Sequence, residues 1–155
     1  MRSSRAVTVD LILDTDIGSD VDDALALAFA LRHPDIDLRA VTTVNEDTEL
    51  RARLAAALLR LGGRDDVEVA AGESGRPADR PNWFGHEGEG VDLAPADALS
   101  RRDAVTLLVE ETARQPCSVA TVGMLTNVAA AVDRDPAIVD PVSYTHLTLP
   151  TILRV

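Results

Sequence analysis

The chain has 155 residues, the size of one ordinary domain, with 46% apolar but only 3% aromatic residues, so its core must be built from Ala, Val and Leu. A net charge of −11 excludes nucleic acid and anionic membrane as expected partners, because both require a basic face. The single cysteine, Cys117, excludes an internal disulfide and a multi-cysteine zinc site, and no segment nears the roughly 20 apolar residues of a membrane span.

The amino terminus has no apolar stretch of signal-peptide length, so the cytoplasm is the expected compartment. Residues 7–14 are a nearly continuous β-branched and aliphatic run, which predicts a strand buried on both faces of a parallel sheet. There follows DTDIGSDVDD, residues 14–23, with aspartates at 14, 16, 20, 22 and 23. At about 5 Å two carboxylates repel by roughly 3 kcal/mol at an effective dielectric near 20. A cation among them removes that cost, and oxygen-only ligands select a hard one, Ca²⁺ or Mg²⁺. Gly18 permits a tight turn, and Asp20 or Asp22 is placed to cap a helix over residues 22–32. That helix is apolar almost all round and is expected to be well buried, ending at His33-Pro34. His33 is read as a helix-end residue.

Residues 37–44 predict a second strand, 50–61 a helix stopped by Gly62-Gly63, and 67–71 a third strand. This β-α-β-α-β order, with helix-length connections, argues for a parallel α/β sheet. Residues 72–101 break the rhythm with Gly, Pro and acids, and loops of that length are commonly functional. Within them Trp83-Phe84 suggests a lid or pocket wall, next to His86. A helix over 103–114, a strand over 118–122 and a helix over 125–132 complete the pattern. Residues 142–155, VSYTHLTLPTILRV, have no Ala and no acid. The expected division is a domain over 1–141 and a tail over 142–155 foreign to it, with a short β segment allowed there.

The run DTDIGSDVDDALALAFAL (14–31), Val41-Thr42-Thr43-Val44, His86-Glu87-Gly88 and Val122-Gly123-Met124-Leu125-Thr126-Asn127 together resemble the inosine/uridine-type nucleoside hydrolases. The resemblance implies an open, mostly parallel Rossmann-like sheet with flanking helices. It implies metal-dependent cleavage of the N-glycosidic bond of ribonucleosides to ribose and free base. One Ca²⁺, in preference to Mg²⁺, is implied at the carboxyl ends of the strands, where an open α/β sheet places its ligands. By position Asp16 is similar to the aspartate that binds this metal and serves as general base toward water. Asp23 resembles a bidentate ligand, Val122 the residue lending a backbone carbonyl, and Asp14 a supporting acid behind the ligands. Asp22, Asp47, His86 and Asn127 stand where the family contacts substrate.

Three departures qualify this likeness. Ser19-Asp20-Val21 separates Gly18 from the Asp22-Asp23 pair where the family has one residue, which makes Asp20 an alternative ligand. Glu46-Asp47 replaces a Gly-Asn pair. Family members are about twice as long, so the chain corresponds to their N-terminal half and is expected to have little activity by itself. An unfinished sheet edge would favour self-association into a homo-oligomer. Two other readings fit the strand followed by Asp-x-Asp: a haloacid-dehalogenase-like, Mg²⁺-dependent phosphohydrolase, and a non-catalytic metal-binding fragment.

Overall fold

Alternation along the first strand sets the architecture. In β1 (Val9–Thr15) neighbouring side chains point to opposite faces, and Ile12 and Leu13 are both buried. Each contributes about 2 kcal/mol by leaving water. A strand apolar on both faces needs a layer on each side. The computed structural model, which describes residues 8–75, 86–139 and 143–146, supplies both.

On one face α1 (Val21–Arg32) and α2 (Thr48–Leu61) cover Leu13, Val41 and Val69. On the other, α3 (Ala104–Arg114) and α4 (Thr126–Arg134) cover Ile12, Ala40, Ala70 and Val119. The remaining strands are β2 (Ile36–Thr43), β3 (Glu68–Ala71), β4 (Ser118–Thr121) and β5 (Ser143–His146). All pairings are parallel and the strand order is β3-β2-β1-β4-β5. The chain therefore runs outward from β1 in one direction through β3, then crosses to β4 and runs the other way. The gap between the carboxyl ends of β1 and β4 is the point of reversal, and crevices in open α/β sheets form there. The register places Asp14 beside Thr42 of β2 and Thr121 of β4.

The predicted elements are all present, with ends displaced by one or two residues. Asp103 caps α3 through Thr106 N–H at 2.7 Å, and His33 terminates α1 as expected. Asp20 occupies the N-cap position of α1 but makes no side-chain cap bond. The long connection after β3 is tied down where it is described. Ala94 exchanges hydrogen bonds with Arg53 of α2, and Ser100 N–H reaches Val69 of β3. Trp83 and Phe84, read as a lid or pocket wall, lie outside the described residues. Residues 143–146, inside the segment of deviant composition, form the edge strand β5. Cys117 packs half-buried against the α3–α4 layer.

One expectation is corrected. The sequence of α1 predicts burial all round, yet Val21, Leu25 and Phe29 are 70%, 62% and 61% exposed. At four-residue spacing they form one stripe. The helix lies on the sheet by its other face, through Leu27 and Ala30, and no described element reaches this one.

The turn from β2 into α2 is strained. Asn45 and Glu46 both have positive φ, at 77° and 56°. Asn tolerates this region, whereas a Cβ-bearing Glu is disfavoured there. Glu46→Gly is expected to stabilise the chain by about 1 kcal/mol, seen as a higher denaturation midpoint at unchanged m value. An unchanged or lower midpoint would show that the turn carries no such strain.

Candidate functional site

β1 carries Asp14 to the reversal point, and the loop and helix head that follow carry Asp16 to Asp23. Asp14, the penultimate residue of β1, is fully buried. Its Oδ1 accepts from Thr42 Oγ1 at 2.6 Å and from Asn127 Nδ2 at 2.8 Å, while Oδ2 has no hydrogen-bond partner. Burial pushes its carboxyl up to about 6, against the lowering effect of Thr42 and Asn127 and with a further push from the charge of Asp16. Asp23, on the first turn of α1, is also buried and accepts from Thr15 Oγ1 at 2.5 Å. Burial again raises it to about 6; the Thr15 bond and Arg51 oppose this, and the charges of Asp16 and Asp22 add to it. Asp16 thus acts on both buried acids. Its half-buried carboxylate accepts from Asn45 Nδ2 at 3.2 Å.

The β4 side closes against this group. Val122 N–H donates to the Asp14 carbonyl at 2.9 Å. Gly123 lies so near that a Cβ there would stand 2.9 Å from Asp16 N and 3.0 Å from its Oδ1. No other residue fits at 123 without displacing Asp16, which explains the glycine on physical grounds.

Asn127 is fully enclosed, with its amide donating to Asp14 and to the Thr43 carbonyl and its Oδ1 accepting from Glu73 N–H at 2.9 Å. Its polar atoms are all engaged within the protein, two of these bonds tying it to Asp14 and to β2. Asp47 is likewise engaged: exposed at the start of α2, it caps Leu50 N–H at 2.9 Å. Asp20 and Asp22 are exposed at the head of α1. His86 is exposed and opens a turn over residues 86–90, closed by Glu89 N–H on its carbonyl.

Sequence reasoning missed Thr15, Thr42, Asn45, Arg51 and Glu87. The two threonines and Asn45 lie inside or next to the quoted motifs, and a buried acid must find donors nearby. That argument would have found them. Arg51 gave no signal, since it is one arginine among several on α2.

The donor set suits a hard divalent cation in kind, being carboxylate and carbonyl oxygen without thiol or imidazole. Asp14 Oδ2 is a buried acceptor without a partner, and burial raises the carboxyls of Asp14 and Asp23. In number the set falls short. Among the described residues no three His, Cys, Asp or Glu are grouped to hold a metal, whereas Ca²⁺ takes about six to eight oxygens.

A sequence model of the family described as inosine-uridine preferring nucleoside hydrolase matches residues 11–147. Uridine nucleosidase 1 of Arabidopsis thaliana is 35% identical over 136 residues, which are 81% of this chain and 40% of that protein. The inosine-uridine preferring nucleoside hydrolase of Crithidia fasciculata is 34% identical over 149 residues, covering 85% and 45%. A solved plant nucleoside hydrolase superposes with a TM-score of 0.75 at 31% identity, over 86% of this chain and 45% of its own. The chain spans less than half the length of these relatives.

Proposed function

We propose a function from one premise: the chain belongs to the inosine-uridine preferring nucleoside hydrolase family. The activity we assign to the protein is metal-dependent hydrolysis of the N-glycosidic bond of ribonucleosides. The observation that carries it is the pair of buried acids, Asp14 and Asp23, near the β1–β4 reversal point, their carboxyls raised first by burial and further by the charge of Asp16.

In this reading Asp16, Asp23 and the Val122 carbonyl hold the cation, with Asp20 the alternative ligand; Ca²⁺ suits this irregular oxygen set better than Mg²⁺, which demands near-octahedral geometry. When bound, the cation neutralises part of the carboxylate charge and acidifies neighbouring water. Asp16 takes the proton as water oxygen bonds to C1′ of the ribose, and the C1′–N electron pair leaves with the base. The developing positive sugar is favoured by the surrounding carboxylates. By the same reading Asp22 and Asp47 take ribose hydroxyls and His86 serves the substrate side, supported by their family positions, while Asn127 and Thr42 hydrogen-bond Asp14. Because these donors fall short of a full coordination shell, the 155 residues supply one side of the site, and turnover by this chain alone is expected to be low.

The substrate is a small nucleoside. The charge of −11 argues against nucleic acid, and no helix among the described residues is long and apolar enough to cross a membrane. Copies are proposed to associate through unpaired sheet edges. The test is to incubate the chain with inosine or uridine and Ca²⁺ and to assay reducing sugar. Slow, Ca²⁺-dependent ribose release is expected. Robust turnover would overturn the one-sided site, and phosphate release from a phosphomonoester without ribose from nucleosides would overturn the hydrolase assignment.

A further inference from the structure

Arg51 is the largest fully buried side chain among the described residues, 1% exposed. A buried guanidinium is costly unless every donor is used. Here all of them are. Nε donates to the Asn45 carbonyl at 2.9 Å. Nη1 donates to the carbonyls of Asp16 and Ile17, the latter at 2.8 Å. Nη2 donates to Ser19 Oγ at 3.0 Å and pairs with Glu87 Oε1 at 3.4 Å. Ser19 Oγ in turn donates to the same Glu87 oxygen at 3.2 Å. Gly18, at φ +118°, lets Glu87 lie close, since a Cβ there would stand 3.2 Å from that of Glu87.

These partners belong to three segments distant in sequence: the acidic loop after β1, the β2–α2 turn and the 86–90 turn. We propose that Arg51 is the positioning residue that joins them into one site, fixing the backbone that carries Asp16, the Asn45 that holds its carboxylate, and the turn that presents His86. The guanidinium holds the carbonyls of Asp16 and Ile17, while the Asp16 carboxylate is left to accept from Asn45. Ser19, part of the extra length between Gly18 and the Asp22-Asp23 pair, is one of the anchors, so the longer loop is held by contacts of its own. What the site binds rests on the proposed function; the joining of the segments does not.

The test is segment-resolved amide hydrogen exchange on the whole chain, without cation or nucleoside. In Arg51→Lys, whose single ammonium cannot reproduce the planar fork, exchange is expected to rise at least about tenfold at 17–19, 45–46 and 87–89 together, with β1 and β2 unchanged. Glu87→Gln, which keeps shape and removes charge, is expected to give the same three-segment pattern at smaller amplitude, and it decides the matter should Arg51→Lys not fold. Faster exchange confined to one segment, an equal rise throughout the sheet, or full protection in Arg51→Lys would each overturn the proposal. A Ca²⁺ titration separates this from the function. Should the unaltered chain bind no Ca²⁺, the metal reading fails while the exchange pattern still decides Arg51. Should it bind, Arg51→Lys is expected to bind at least about tenfold more weakly, as loss of partners behind metal ligands does.

Discussion

Asp16→Ala is expected to abolish Ca²⁺ binding, weakening it by more than about a hundredfold, since losing even a partner behind a ligand costs roughly 10–100-fold. Beyond the larger effect of burial, the charge of Asp16 raises both Asp14 and Asp23, so under the proposed function a cation that compensates the group is expected to touch Asp16. The substitution removes little else. The carboxylate is half-buried and receives one long hydrogen bond, from Asn45, while the Arg51 contact to residue 16 is made by the backbone carbonyl and survives. Isothermal titration of Ca²⁺ into the chain and its Asp16→Ala form, with melting curves of both, reads the effect. Equal binding by two folded proteins would remove Asp16 from the metal site.

The second large effect is on stability against pH. Asp14 and Asp23 both stand near 6 in the fold, above the ordinary carboxylate value of 3.8. A carboxyl raised on folding binds its proton more tightly in the native than in the unfolded chain, so it opposes folding once ionised. The contribution of these two groups is therefore fully favourable below about pH 4 and is lost as pH rises through 6. This is the reverse of the usual salt-bridged acid. For Asp14 alone a rise from 3.8 to about 6 corresponds to roughly 3 kcal/mol. The cation-free chain is expected to lose stability between pH 4 and 6.5, and Ca²⁺ is expected to flatten that loss. Denaturant unfolding across this range, with chelator and with Ca²⁺, checks it. Stability that rises steadily over the same interval would show that the two acids are not held protonated.

The fold was legible because its signals are local and repeated. Continuous apolar runs mark β1 and β2, Gly62-Gly63 stops α2, and Asp103 caps α3. The exposure of α1 was not legible. Apolar residues all around a helix do not say which face packs on the sheet. Of the site, the acids could be read as a group because their density has no cheap explanation without a counter-charge. Their individual surroundings could not. That Asn127 is sealed behind Asp14 depends on Gly72, where a Cβ would fall 2.2 Å from Asn127 Oδ1, more than fifty residues away. Arg51 joins pieces separated by 35 and 36 residues, a relation set by packing and invisible to spacing.

The uncovered stripe of Val21, Leu25 and Phe29 has a consequence beyond geometry. In a cell a folded chain that displays such a surface looks to quality-control machinery like a protein still being made. Holdase chaperones and proteases sample apolar side chains without asking whether the rest has folded. Acidic substitutions at Leu25 and Phe29 are expected to reduce recognition of that helix by chaperones and proteases without touching the sheet beneath.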